Sequence, residues 1–276
     1  VIELHREVRG DGPPVVILHG LFGSLANWRS VARSLSDRFT VYSVDLRNHG
    51  RSPWDPVHTY SAMTCDLAGL LDEEGIATAN VIGHSMGGKV AMNFALTYPD
   101  RVERLVVVDI GPERHDEQGE LHSILHAMLA IDLDRIADRD DAESALRVGV
   151  EDPSVRSFLL MNLRRRENGS GFRWRPNLRA LEENWSSLAA GVTGTVPWRG
   201  ETLFIRGGRS DYLRPESEAR ISRLFPQAEI VSIDGAGHWV QADAPDAFVE
   251  VVSRFLERAP RNRGALFVSS RRFRAE

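Results

Sequence analysis

A serine held between two glycines, where a strand gives way to a helix, constrains this chain more than any other feature. Residues 81–89 read VIGHSMGGK. The apolar run from Ala79 to Ile82 has strand character, and a helical pattern follows from Gly88 to Tyr98. Gly83, Ser85 and Gly87 carry the G-x-S-x-G spacing. Small residues two before and two after the serine let strand and helix approach without side-chain collision. The tight turn then pushes the hydroxyl out at the strand's carboxyl end. The next amide, that of Met86, opens the helix and can donate to a developing negative charge.

The surrounding pattern supplies a sheet for that turn to sit on. Residues 2–8 read as an edge strand, and Val15 to Leu18 as a buried one. A helix is predicted from near Asn27 to Ser36, a strand over Thr40 to Val44, and a helix over Ser61 to Glu74 that ends at Gly75. Arg104 to Asp109, Thr202 to Arg206 and Ala228 to Ile233 are further strands, and Pro245 to Arg258 is a last helix. Strands alternating with helices imply an α/β fold, a mostly parallel sheet covered on both faces. The rhythm breaks between Gly111 and Gly200. No strand is predicted there, only helical stretches near 119–130, 141–149, 154–166 and 177–190. The expected organisation is a core of 1–111 and 201–258, an inserted helical cap of 112–200, and a basic tail of 259–276 that is expected to be poorly ordered.

Composition narrows the function classes. The 276 residues carry a net charge of −5, with 42% hydrophobic and 26% charged residues. This is an ordinary balance for a globular protein, and it points to neither nucleic acid nor an anionic membrane as partner. The single cysteine, Cys65, leaves no internal disulfide framework. No apolar run approaches the ~18 residues of a membrane span, and no signal-peptide pattern is read. A cytoplasmic protein, monomeric or a small homo-oligomer, is expected.

A serine hydroxyl is a poor nucleophile at neutral pH. It needs a neighbouring base, and the base needs an orienting carboxylate. His238, in Gly235-Ala236-Gly237-His238-Trp239, follows the last predicted strand and is the candidate base. Two aspartates compete as the acid. Asp109 ends the strand after the elbow helix, and Asp211 lies in Gly208-Arg209-Ser210-Asp211-Tyr212-Leu213-Arg214-Pro215. Both fall between serine and histidine, so chain order does not separate them; Asp211 is favoured. The second oxyanion donor is expected from Leu21, after His19 and Gly20 at the end of an inner strand. His19 itself is expected to bond backbone in that loop.

The fragments HGLFGS, DLRNHGRS, GHSMGGK, VVDIGP, GGRSDYLRP and GAGHW, in this order, resemble the α/β-hydrolase superfamily. The combination HGLFGS, RNHG and GHSMGGK is similar to its small bacterial carboxylesterases of the YbfF type. The likeness covers residues 14–111 and 201–257. It implies Ser85 as nucleophile, His238 as base, and the Leu21 and Met86 amides as the oxyanion hole. Relatives of that esterase type can use the aspartate corresponding to Asp109. The more widespread G-x-x-D-x-x-x-P pattern in GRSDYLRP keeps Asp211 ahead.

The expected activity is therefore a serine carboxylesterase acting on short to medium acyl esters through an acyl-enzyme, with a small-molecule ester as its partner. C–C bond hydrolysis or perhydrolysis on the same residues is the alternative, and a ligand-binding scaffold is a third reading. Serine at the elbow argues against a haloalkane dehalogenase or an epoxide hydrolase. No cofactor and no metal is expected. His122 and His126 lie one helical turn apart but without H-E-x-x-H, and are read as a solvated cap face. Phe158, Leu159, Trp174 and Trp185 are among the apolar cap residues expected to pack the core or line an acyl pocket.

Overall fold

The computed structural model describes residues 1–166, 171–259 and 269–273, the last of these as backbone only. In chain order the core elements are β1 (Arg6–Arg9), β2 (Pro14–Leu18), α1 (Arg29–Leu35), β3 (Thr40–Val44), α2 (Tyr60–Glu73), β4 (Ala79–His84), α3 (Met86–Thr97) and β5 (Val102–Val108). The insertion contributes α4 (Glu120–Leu129), α5 (Arg139–Leu146), α6 (Pro153–Leu160), β6 (Leu163–Arg165), β7 (Phe172–Trp174), α7 (Leu178–Glu183) and α8 (Trp185–Ala189). The core resumes with β8 (Glu201–Gly207), α9 (Glu218–Leu224), β9 (Ala228–Ile233), α10 (Val240–Asp243), α11 (Pro245–Leu256) and β10 (Ser269–Phe273).

The main sheet has the order β1-β3-β2-β4-β5-β8-β9-β10. Only β1 runs antiparallel, against β3. The inner strands are apolar on both sides, as a sheet covered on both faces requires. Val15, Ile17, Ile82, Val106, Val108, Leu203 and Ile205 pack with Trp28 and Val31 near α1 and with Phe248, Val252 and Phe255 of α11. The alternate residues Val16, Leu18, Val81, Leu105, Val107 and Phe204 pack with Leu67 of α2 and with Val90 and Phe94 of α3.

This order places the chemistry. The chain winds outward from β2 to β3, then starts again beside β2 with β4 and proceeds the other way to β5 and β8. The change of direction opens a crevice at the carboxyl ends of β2 and β4, where open α/β sheets bind their ligands. The loop holding Leu21 follows β2, and Ser85 follows β4.

The insertion lies over that crevice. Asn162 Nδ2 donates to the Phe22 carbonyl at 2.6 Å, and Tyr60 Oη donates to the Leu188 carbonyl at 2.8 Å. Asn177 Nδ2 bonds Asn48 Oδ1 at 3.0 Å. The insertion departs from the wholly helical cap that the sequence pattern predicts, because it also holds a two-stranded sheet. The stretch expected as one helix over 154–166 ends at Leu160, and Leu163–Arg165 pairs antiparallel with Phe172–Trp174. A three-residue strand is too short for period-two alternation to register. Of the basic tail, Ser269–Phe273 forms a parallel strand against β9. The rest of residues 260–276, on which the expectation of poor order falls, lies outside the described residues.

Candidate active site

Ser85 occupies the turn between β4 and α3 with φ 52° and ψ −117°. A side chain in this left-handed region costs on the order of 1–3 kcal/mol and persists only where its surroundings hold it. Here the Ser85 amide donates to the Val108 carbonyl at 3.0 Å. Backbone crowds the flanking glycines. A Cβ on Gly87 would sit 2.5 Å from the Leu18 carbonyl oxygen, and one on Gly83 would collide with the Gly87 carbonyl.

Gly20 brings the β2 loop equally close. A Cβ there would meet His84 Nδ1 at 2.8 Å and Ser85 Cβ at 3.2 Å. The absence of that side chain lets the Gly20–Leu21 backbone lie beside the serine. Leu21 and Met86 both line the cavity at Ser85. As the first residue of α3, Met86 has one of the amides that a helix cannot satisfy internally. The buried ring of His19 braces the same loop. Its Nδ1–H donates to the Gly20 carbonyl at 2.8 Å, and its Nε2 accepts from the Leu46 amide at 3.0 Å. Burial lowers its pKa to about 4, so the ring is neutral.

His238, between β9 and α10, shares a cavity with Ser85, Leu21 and Trp239. Its Nδ1 bonds Asp109 Oδ2 at 2.8 Å. Asp109, fully buried, directly follows β5 with φ 51°, and this turns its carboxylate toward the histidine loop. Its other oxygen accepts from the Gly207 amide at 2.9 Å, and the Ser210 hydroxyl donates to Oδ2. Asp211, favoured by the G-x-x-D-x-x-x-P pattern, does not hold the ring. It is exposed in the turn after β8, and its carbonyl accepts from Arg214 Nε at 3.0 Å. The physical reason is adjacency. Asp109 leaves the strand next to β4 and β8, while Asp211 lies beyond the end of β8 in an exposed turn. Ser85, His238, Leu21 and Met86 thus gather at one end of the sheet, and Asp211 lines the lobe that holds Ser85 and Met86 but not the one that holds His238.

Three further residues belong to this arrangement. Ser210, adjacent to the favoured aspartate, supports Asp109 instead. Tyr212 stacks on the His238 ring at 3.9 Å. The Nε2–H of His84 donates to the His238 carbonyl at 2.8 Å. All three lie within quoted sequence fragments, GRSDY and GHSMG, but nothing in their spacing marks which side chain turns inward.

Two cavities of about 580 Å³ each meet at Leu21, Ser85 and Tyr212. One is walled by Ile124, Val155, Phe158, Leu159 and Trp239. The other is more polar and holds Lys89, Glu113, His115 and Arg214. Burial pulls the Lys89 ammonium down to about 7 against the opposing pull of Glu113, and its Nζ donates to the Ala190 carbonyl at 2.7 Å. Burial likewise lowers His115 to about 4.

A parallel sheet with a strained serine at the end of an inner strand, and a histidine–aspartate pair on the following loops, defines an α/β hydrolase. Comparison with known proteins agrees. Residues 13–245 match the model of the alpha/beta hydrolase fold family, and the chain belongs to it. It is 43% identical over 255 residues to the sn-1-specific diacylglycerol lipase ABHD11 of Danio rerio, covering 90% of this chain and 80% of that protein. Esterase YbfF of Escherichia coli K12 is 38% identical over 251 residues, covering 89% of this chain and 94% of that one. Among solved structures, one titled marine microorganism esterase superposes with a TM-score of 0.90 at 38% identity, covering 92% of this chain and all of that one. The resemblance to YbfF-type esterases drawn from the motifs is thereby met.

Proposed function

We propose that this protein is a serine carboxylesterase that cleaves esters of short to medium acyl chains through an acyl-enzyme. The observation that carries the reading is the His238–Asp109 hydrogen bond, on a ring that shares its cavity with Ser85 at its strained turn. The names of relatives at 38–43% identity, esterases and lipases, support ester hydrolysis as the reaction class.

In this reading Ser85 Oγ attacks the acyl carbonyl and His238 Nε2 takes its proton. Asp109 fixes the tautomer with the proton on Nδ1 and stabilises the imidazolium without being protonated. The tetrahedral oxyanion rests on the Leu21 and Met86 amides, which need no reorganisation as charge develops. His238 then protonates the leaving alcohol, and water repeats the sequence on the acyl-enzyme. The lobe walled by Phe158, Leu159 and Trp239 suits an acyl chain, and the lobe with Lys89 and Glu113 suits a polar alcohol portion. Each is within the ~300–1,000 Å³ range of small-molecule sites. Residues 112–200 act as the cap that closes both. A cytoplasmic location, resting on the lone Cys65, goes with the proposal.

The test is a p-nitrophenyl ester series, acetate to decanoate, run beside a ring-cleavage diketone acid. The expected result is ester turnover that falls at least ~10⁴-fold in Ser85→Ala with folding intact. Near-normal hydrolysis by that variant removes Ser85 from the mechanism. Preference for the diketone acid moves the reading to C–C hydrolysis.

A further inference from the structure

The cap carries a cluster that the ester chemistry does not use. His122 and His126 lie one turn apart on α4, so both rings project from the same helix face. The fold brings Glu182, on α7, against them. His122 Nε2 and His126 Nε2 are 3.1 Å apart. Glu182 Oε2 is 3.7 Å from His122 Nε2, and Glu182 Oε1 is 3.5 Å from His126 Nε2. The candidate ligand atoms of the three residues all lie within 4.8 Å of one another.

We propose that these residues form a binding site for one divalent transition-metal ion of the zinc class, which clamps α4 to α7. The distances of 3.1, 3.5 and 3.7 Å bracket what the chemistry needs. Metal–ligand bonds of ~2.0–2.2 Å at tetrahedral angles put neighbouring ligand atoms about 3.3–3.5 Å apart. Two imidazoles and one carboxylate are a donor set for zinc, and the half-exposed His126 leaves room for water in the fourth position.

A second observation points to a cation as the ligand. Glu182 Oε2 is buried and has no hydrogen-bond partner among the described residues. A buried carboxylate oxygen without a donor is costly. A ring-to-ring hydrogen bond at 3.1 Å satisfies the histidines but leaves that oxygen orphaned. A cation satisfies all three groups at once. The His122 ring is also held in place. It stacks on Trp185 at 4.8 Å, and the Trp185 indole N–H donates to the Glu117 carbonyl at 2.7 Å. Each histidine would present Nε2 with its proton kept on Nδ1. The sequence shows the two histidines as an ordinary helix face; only the packing of α7 on α4 supplies the third ligand.

The site is structural. Its helix α4 also carries Glu120 and Leu121, which line both lobes at Ser85, so a bound ion would fix the cap over the substrate cavity.

The experiment is a cobalt(II) titration of chelator-treated full-length protein, followed by visible absorption and repeated with zinc as competitor. The expected result is one cobalt per chain with the intense visible bands of tetrahedral coordination, displaced by zinc, and a rise in Tm on binding. Glu182→Gln and His126→Ala should each weaken binding by ~100-fold or more, beyond what losing an outer-shell partner costs. Ser85→Ala and His5→Ala, at a half-buried histidine outside the cluster, should bind as wild type does, which separates this site from the hydrolytic reading and from adventitious histidine binding. Glu182→Gln preserves shape, so it remains informative if His126→Ala folds poorly. The proposal is overturned if wild type gives no stoichiometric binding, if the spectrum is the pale one of six-coordinate cobalt, or if Glu182→Gln binds unchanged.

Discussion

Asp109 Oδ2 lies 2.8 Å from His238 Nδ1, and the carboxylate that makes this contact is fully buried. The pairing decides which of two aspartates should matter. Asp109→Asn keeps the size of the side chain, and asparagine tolerates the positive φ, so folding should survive. It would present an amide where the ring needs an acceptor, and so favour the wrong tautomer. The expected cost is on the order of 10⁴-fold in kcat, against less than about 3-fold for Asp211→Asn. Steady-state kinetics on one p-nitrophenyl ester checks both; the reverse ranking would return the acid role to Asp211.

Ser210 predicts a smaller effect on the same axis. Its hydroxyl donates to the oxygen of Asp109 that also meets His238, while the Gly207 amide holds the other oxygen at 2.9 Å. Removing one of several donors to a charged group costs roughly 1.5–3 kcal/mol when that group must stay oriented. Ser210→Ala should therefore lower kcat by roughly 10- to 100-fold and leave KM nearly unchanged. An unchanged kcat would show that the Gly207 amide and the ring suffice to hold Asp109.

The elbow glycines were legible in the sequence because a steric rule demands them, and the structure gives that rule a measurable consequence. A Cβ on Gly83 would collide with the Gly87 carbonyl and sit 2.7 Å from the Gly88 amide nitrogen. Both are backbone and cannot swing away. Gly75 has φ 66° but nothing within 4 Å of its would-be Cβ. Gly83→Ala should thus cost about 3 kcal/mol or more of stability, and Gly75→Ala only the ~1 kcal/mol of a left-handed alanine. Urea unfolding of the two variants tests the difference; equal losses would mean that the elbow relaxes.

The same contrast explains what could and could not be read before the fold was known. Buried strands such as Leu105 to Val108 announce themselves as continuous apolar runs, and the elbow through its spacing. The identity of the acid depends on which strand end lies beside β4, a property of sheet order rather than of local pattern. Asp109 and Asp211 both sit at plausible strand ends, and a widespread motif favoured the wrong one for the contact. The short β6–β7 hairpin and the approach of Glu182 to His122 were invisible for a related reason. Three-residue strands carry no periodicity, and helix–helix packing brings together residues far apart in sequence.

Buried histidines set a further expectation, for stability against pH. His19, His49, His58 and His84 are all buried. Burial lowers His19 to about 4 and His49 to about 3, and holds His58 and His84 well below the usual histidine value. Near neutrality all four are uncharged in the folded chain. As pH falls through about 6.5 the unfolded chain takes up protons at these positions and the folded chain does not. The unfolded state then binds more protons, so stability must fall with falling pH, by up to about 1.4 kcal/mol per pH unit for each imidazole. The loss continues until pH drops below the folded pKa values, near 3 to 4. Urea midpoints measured at pH 7, 6 and 5 should therefore decline steeply, before most carboxylates begin to titrate. Replacing His49 by glutamine should flatten the slope by about one proton, because glutamine can still accept the Phe22 amide that His49 Nε2 accepts at 3.3 Å. A midpoint that stays constant from pH 7 to pH 5 would mean that these rings admit water and charge in place.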